Sequence, residues 1–96
     1  DEFKDKYKIT IIENKTKYKF RLSNLVNYWV ESLTNNDGLF SKPIPLTNPH
    51  TNLDISQYNL YNIYFKLLDT GFNIPLCINA FFQCDMDITV FAFKYF

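Results

Sequence analysis

Few residues in this chain could do chemistry. His50 is the only imidazole, Cys77 and Cys84 are the only thiols, and Gly38 and Gly71 are the only glycines. A structural zinc site needs four ligands, usually as thiolate or imidazole pairs at short spacing, and these three residues do not supply one. Nucleophilic catalysis would need a cysteine beside His50 with a third group orienting the ring, but both cysteines fall in apolar helical text where a thiol is normally packing. Their spacing of seven puts them about two turns apart on one helix face, too far for a disulfide, so free thiols in a reducing compartment are expected. Asp85 and Asp87 would share one face of a strand and could hold a cation, yet without oxygen-rich turns nearby they read as a solvated strand start. Both glycines stand where helices end, not in a phosphate-cradling loop. The expectation is a protein with no catalytic residues, no metal and no cofactor.

Charge is the second source of chemistry. The 96 residues are neutral overall. Residues 1–22 nevertheless carry seven Lys/Arg against four Asp/Glu, and residues 23–96 carry three against six. Lys4, Lys6, Lys8, Lys17, Lys19 and Arg21 alternate with apolar residues, so they project from one face of a ribbon. Such a face neutralises phosphates without reading sequence, or it blunts an exposed sheet edge. Bases could not stack beside these cations, because Tyr18 and Phe20 turn to the opposite side. Asn14-Lys15-Thr16 matches a glycosylation sequon and reads as a chance match in an Asn-rich chain.

Positioning those groups requires a small α+β domain, a single one at this length. Residues 3–22 have a period of two, with Tyr7, Ile9 and Ile11 on one parity and Tyr18, Phe20 and Leu22 resuming it. They predict a β-hairpin turning at Asn14-Lys15, with Ile11 facing Tyr18, Ile9 facing Phe20, Tyr7 facing Leu22 and Lys8 opposite Arg21. A helix over 23–33 follows, capped by Ser23, with Leu25, Val26, Trp29, Val30 and Leu33 inward. The second helix, 56–69, is capped by Asp54 or Ser56, carries Leu60, Ile63, Tyr64, Leu67 and Leu68 as its stripe, and closes at Gly71. Pro75 opens a short third helix over 75–83 that holds Leu76, Ala80 and Phe81. Residues 86–96 are β-branched and aromatic on both parities, which predicts a strand pairing with the hairpin to give an antiparallel sheet of about three strands against two or three helices. The longest uncharged stretch there, Thr70 to Cys84, is too short and too rich in amides to span a bilayer.

Between the first two helices, residues 39–55 form a Pro-rich strap. Pro43, Pro45 and Pro49 predict an extended course over the surface, with Asn48, Thr51 and Asn52 turning side chains onto nearby backbone and His50 as a hydrogen-bonded strap residue. The segment "NPHTN" at 48–52, after "KPIPL" and before "LYNIYF" at 60–65, resembles uncharacterised proteins of large nucleocytoplasmic DNA viruses of algae and amoebae. Those commonly read Asn-Pro-Tyr-Thr-Asn, followed by a Leu-Tyr-x-Ile-Tyr helix. The likeness spans about residues 20–88, and the Lys, Asn, Ile, Tyr and Phe bias fits an A+T-rich genome. It implies a viral source, with a virion or host-cytoplasm location, and attaches no activity. A more distant likeness, to U-box ubiquitin-ligase modules, lacks their tryptophan-bearing pattern.

Three function classes follow. The first is a structural or interaction module, virion-associated or a minor capsid protein, that contacts virion or host proteins, or itself, through its surplus of rings. The second is a nucleic-acid-associated protein using the basic hairpin face. The third is a U-box-like adaptor.

Overall fold

The computed structural model describes residues 6–37 and 40–96. Lys4 and the first part of the expected hairpin lie outside them.

Strands β1 (Lys8–Glu13) and β2 (Thr16–Arg21) pair antiparallel, with Ile9 opposite Phe20, Ile11 opposite Tyr18 and Lys8 opposite Arg21. The two-residue turn takes φ of 51° at Asn14 and 67° at Lys15, the doubly left-handed geometry whose twist suits a hairpin. The ladder runs one step further, since the Leu22 N–H donates to the Tyr7 carbonyl at 2.8 Å. That bond also explains the start of α1 (Leu22–Leu33). The helix springs from the strand without a loop, so Arg21 takes the N-cap position and no side chain caps it, in place of the expected Ser23. One orphan donor of the first turn is already satisfied by the residue just before β1. Leu22, Leu25, Val26, Trp29 and Leu33 are buried along one face.

The chain then forms a short ladder of β3 (Asn36–Asp37) and β4 (Phe40–Ser41). The strap does not simply run extended. Thr47 bridges Asp54, Ile55 donates to the Leu46 carbonyl at 2.9 Å, and the turn closes through Asn52 at φ 59°. Asn48 and Asn52 supply the local hydrogen bonds and the left-handed geometry that bend it back.

Helix α2 (Gln57–Asp69) is capped by Ser56, whose Oγ accepts from the Asn59 N–H. It ends in a Schellman motif: Phe72 N–H donates to Leu67 and Gly71 N–H to Leu68, with Gly71 at φ 71°. Pro75 is the N-cap of α3 (Leu76–Gln83), one position ahead of the expected first-turn place. Leu76, expected in the core, is 86% exposed; Phe81 is buried as expected, and Ile78 is buried beside it.

The C-terminal segment is the main correction. Residues 86–96 form no third strand; they hold helix α4 (Ile88–Tyr95), and the larger sheet has two strands. Asp87 Oδ1 accepts from the Thr89 and Val90 N–H groups at 2.8 and 3.2 Å, a complete N-cap. Phe91 is buried, with Ile88 and Ala92 half-buried beside it, a helical face that reads as apolar on both parities when taken as a strand. Asp85 and Met86, at φ 57° and 54°, form the corner at which α3 and α4 meet at 114°. The two aspartates therefore share no strand face. The α+β class stands, with four helices among the described residues. No single helix is long and apolar enough to cross a membrane.

The core joins these pieces edge to face. Trp29 of α1 meets Phe81 of α3 at 6.0 Å and 83°, and Phe81 meets Phe91 of α4 at 5.5 Å and 89°.

Two substitutions test these local readings. Gly71→Ala should destabilise by about 1 kcal/mol in urea unfolding, from left-handed backbone alone, since an added Cβ meets nothing within 4 Å. Asp87→Ala should cost about 1 kcal/mol and speed amide exchange in α4 first; an unchanged exchange pattern would argue against the cap.

Candidate functional site

The outer face of the hairpin carries Lys8 opposite Arg21, Thr10 opposite Lys19 and Ile12 opposite Lys17, all exposed. Among the described residues no acid shares that face, because Glu13 has the parity of the inward rings. Lys6 precedes β1 and lays its ammonium over the Tyr7 ring at 5.6 Å. Sequence reasoning thus placed Lys8, Lys17, Lys19 and Arg21 together, with only Lys8 and Arg21 directly opposed.

The strap residues lie on the other side of the ribbon. Asn48 is buried; its Oδ1 accepts from the His50 N–H at 2.9 Å and its carbonyl from Thr51 and Asn52. Its Nδ2 is enclosed with no hydrogen-bond partner. Thr51 Oγ1 accepts from Leu53 N–H at 3.2 Å, and Pro49 and Asn52 face solvent. The His50 ring stacks on Tyr18 at 5.8 Å and tilts against Phe20 at 5.7 Å. His50 therefore serves as a ring covering the apolar side of the hairpin.

A junction the sequence did not disclose ties the hairpin to α2. Glu13 Oε1 accepts from the Ser56 N–H at 2.8 Å and from Asn59 Nδ2 at 3.0 Å, and the same amide donates to the Ile12 carbonyl at 2.8 Å. Burial pushes the Glu13 carboxyl upward, but the bonds from Asn59 and Ser56 outweigh it and hold the group below its ordinary 4.5. Asn59 is buried, and its Oδ1 accepts from Asn62. Only the partners, far apart in the chain, reveal this role.

On the outward side of α2, Tyr58, Tyr61, Phe65 and Leu68 recur at helical spacing. Tyr58 is 76% exposed, Phe65 52% and Leu68 53%. Leu68 is therefore not part of the buried stripe, which consists of Leu60, Ile63, Tyr64 and Leu67. Phe82 of α3 stacks on Tyr64 at 4.1 Å and 5°, and meets Tyr61 and Phe65 edge-on. Tyr64 Oη donates to Asn79 Oδ1 at 2.6 Å, which fixes the stack. The spacing 58, 61, 65, 68 was readable in the sequence as a second apolar stripe.

Both cysteines are free, Cys84 buried and Cys77 half-buried, and burial pushes the Cys77 thiol up, away from reactivity. Among the described residues no group of three His, Cys, Asp or Glu could hold a metal ion. No family model matches the chain, and no curated protein or solved structure matches it.

The junction has a pH signature. A carboxyl held below its ordinary value contributes stability above that value and loses it as pH falls through the folded one. Wild type should therefore weaken below about pH 4.5. Glu13→Gln should cost about 1 kcal/mol at pH 7 and flatten that part of the curve. Urea midpoints between pH 3 and pH 7 measure both.

Proposed function

We propose that this protein is a non-catalytic interaction module that docks against protein through the outward stripe of α2. The observation that carries the reading is the set Tyr58, Phe65 and Leu68, large apolar side chains in water, with the half-buried Tyr61 between them, on a helix braced by the Tyr64–Phe82 stack. Aromatic residues on a rigid element are the usual anchors of an interface, since they bury much area at little entropic cost. A neutral chain adds no net repulsion between copies, so self-association is the form of docking a purified sample would show. A virion-associated or minor capsid role rests on the likeness of the "NPHTN" segment, and is proposed on that basis only.

The second reading, phosphate binding by Lys8, Lys17, Lys19 and Arg21 with Lys6 beside them, is supported by an outer hairpin face that carries no acid among the described residues. Its inward rings are covered by the strap, which leaves this face without a stacking platform.

Salt separates the two. Docking through rings should leave a self-association constant, measured by sedimentation, nearly unchanged between 0.05 and 0.5 M salt, and Phe65→Glu should weaken it at least ten-fold. Monomeric behaviour at all concentrations, together with single-strand binding that falls tens-fold with salt and is lost in Lys17→Gln/Lys19→Gln, would favour the second reading.

A further inference from the structure

The register of the hairpin fixes which main-chain groups face outward. The Leu22 N–H donates to the Tyr7 carbonyl, so that pair exchanges hydrogen bonds, and by alternation so do Ile9 with Phe20, Ile11 with Tyr18 and Glu13 with Thr16. The pairs between them, Lys8 with Arg21, Thr10 with Lys19 and Ile12 with Lys17, turn their N–H and C=O groups away from the partner strand. On β1 that edge is met at its turn end, where the Asn59 amide of α2 donates to the Ile12 carbonyl. On β2 it is bare. Among the described residues no hydrogen bond reaches the backbone of Lys17 or Lys19 from another element, and both residues are exposed. Such a row of unpaired donors and acceptors is a template for another strand.

We propose that the outer edge of β2 is a docking site for an extended acidic peptide, which adds to the hairpin as a third, antiparallel strand. Main-chain bonds supply the pairing and charge supplies the choice. In a hydrogen-bonded pair the two opposed residues point to the same face, with Cα atoms about 5.5 Å apart. Peptide residues opposite Lys17 and Lys19 therefore stand on the outer face, beside a row of cations that has no acid among the described residues. Carboxylates complement that row. The peptide residue between them lies opposite Tyr18, on the ring side of the ribbon, where an apolar side chain fits. The recognised pattern is thus acidic, apolar, acidic. A second copy of this chain is the wrong occupant, because two β2 edges laid together would set lysines against lysines. A nucleic acid offers phosphates to the cations but no strand to the main chain. The edge belongs to a different element from the α2 stripe and does not depend on docking there.

The test is a titration of the isotope-labelled chain, in low salt, with a capped peptide of seven alternating Glu and Val residues. Amide shifts should gather along Thr16–Arg21, the Lys17 and Lys19 amides should gain protection from exchange, and Kd should be on the order of 0.1 mM. A peptide with Gln in place of Glu should bind roughly ten-fold more weakly. Methylating the Glu backbone nitrogens, which face β2, should abolish binding, while methylating the Val nitrogens, which face away, should leave it within about three-fold. Lys17→Gln/Lys19→Gln should weaken the peptide about ten-fold with the remaining spectrum unchanged, and Phe65→Glu should bind it as wild type does. Shifts gathered at Lys8, Thr10 and Ile12 or on α2, equal binding of the Gln peptide, or indifference to methylation of the Glu nitrogens would overturn the proposal. So would a response to a single-stranded oligonucleotide with none to the peptide.

Discussion

Two strands that carry their apolar side chains on one side are not stable alone in water, so the rest of the molecule is arranged around covering that side of the hairpin. The cover is built from three directions. Helix α1 leaves β2 with no loop, so Leu22 and Leu25 are already inside. The strap folds back and sets the His50 ring over Tyr18 and Phe20. Glu13, at the turn end of the ribbon, reaches the start of α2 and binds the Ser56 and Asn59 groups there. A carboxylate at that place also suits the positive end of the helix dipole, so one side chain joins two elements and aids one of them.

The hairpin and the first two helices were legible because each burial pattern has a single period and a clear punctuation: Asn14-Lys15 at the turn, Ser56 before α2 and Gly71 after it. The C-terminal helix was not. Its residues, Ile88, Thr89, Val90, Phe91 and Phe93, are strand formers by type, and their intrinsic preference outweighed a three-and-four spacing that eight residues display only weakly. What decides the outcome is the Asp87 cap and the place the core offers to Phe91 beside Phe81, a tertiary effect no local window contains. The basic face was legible in the same way as the hairpin, by parity. The bare edge of β2 was not, because the Asn59 amide of α2 meets the other edge and alternation says nothing of who arrives from elsewhere. His50 sits between these cases: a strap residue as read, but one whose ring contacts depend on how the strap bends.

Beyond the rings over the hairpin, two aromatic clusters join the helices. Trp29, Phe81 and Phe91 run edge to face through the interior and hold α1, α3 and α4 together. Tyr61, Tyr64, Phe65 and Phe82 form a second, partly wet cluster where α2 and α3 meet. Tyr64 is the buried member of the second cluster, anchored by its hydroxyl to Asn79. The basic outer hairpin and the aromatic outer face of α2 thus belong to different elements, so the molecule offers two surfaces of unlike character, one cationic and one apolar.

Trp29 is the chain's only tryptophan; it is wholly enclosed, and its indole Nε1 has no hydrogen-bond partner. An indole in such dry surroundings emits at short wavelength and reddens on meeting water, so the molecule carries its own optical gauge of whether α1 and α3 are seated. Because nothing else in the protein contributes that signal, loosening of the interior could be followed in unlabelled samples, even in mixtures with partners that lack tryptophan.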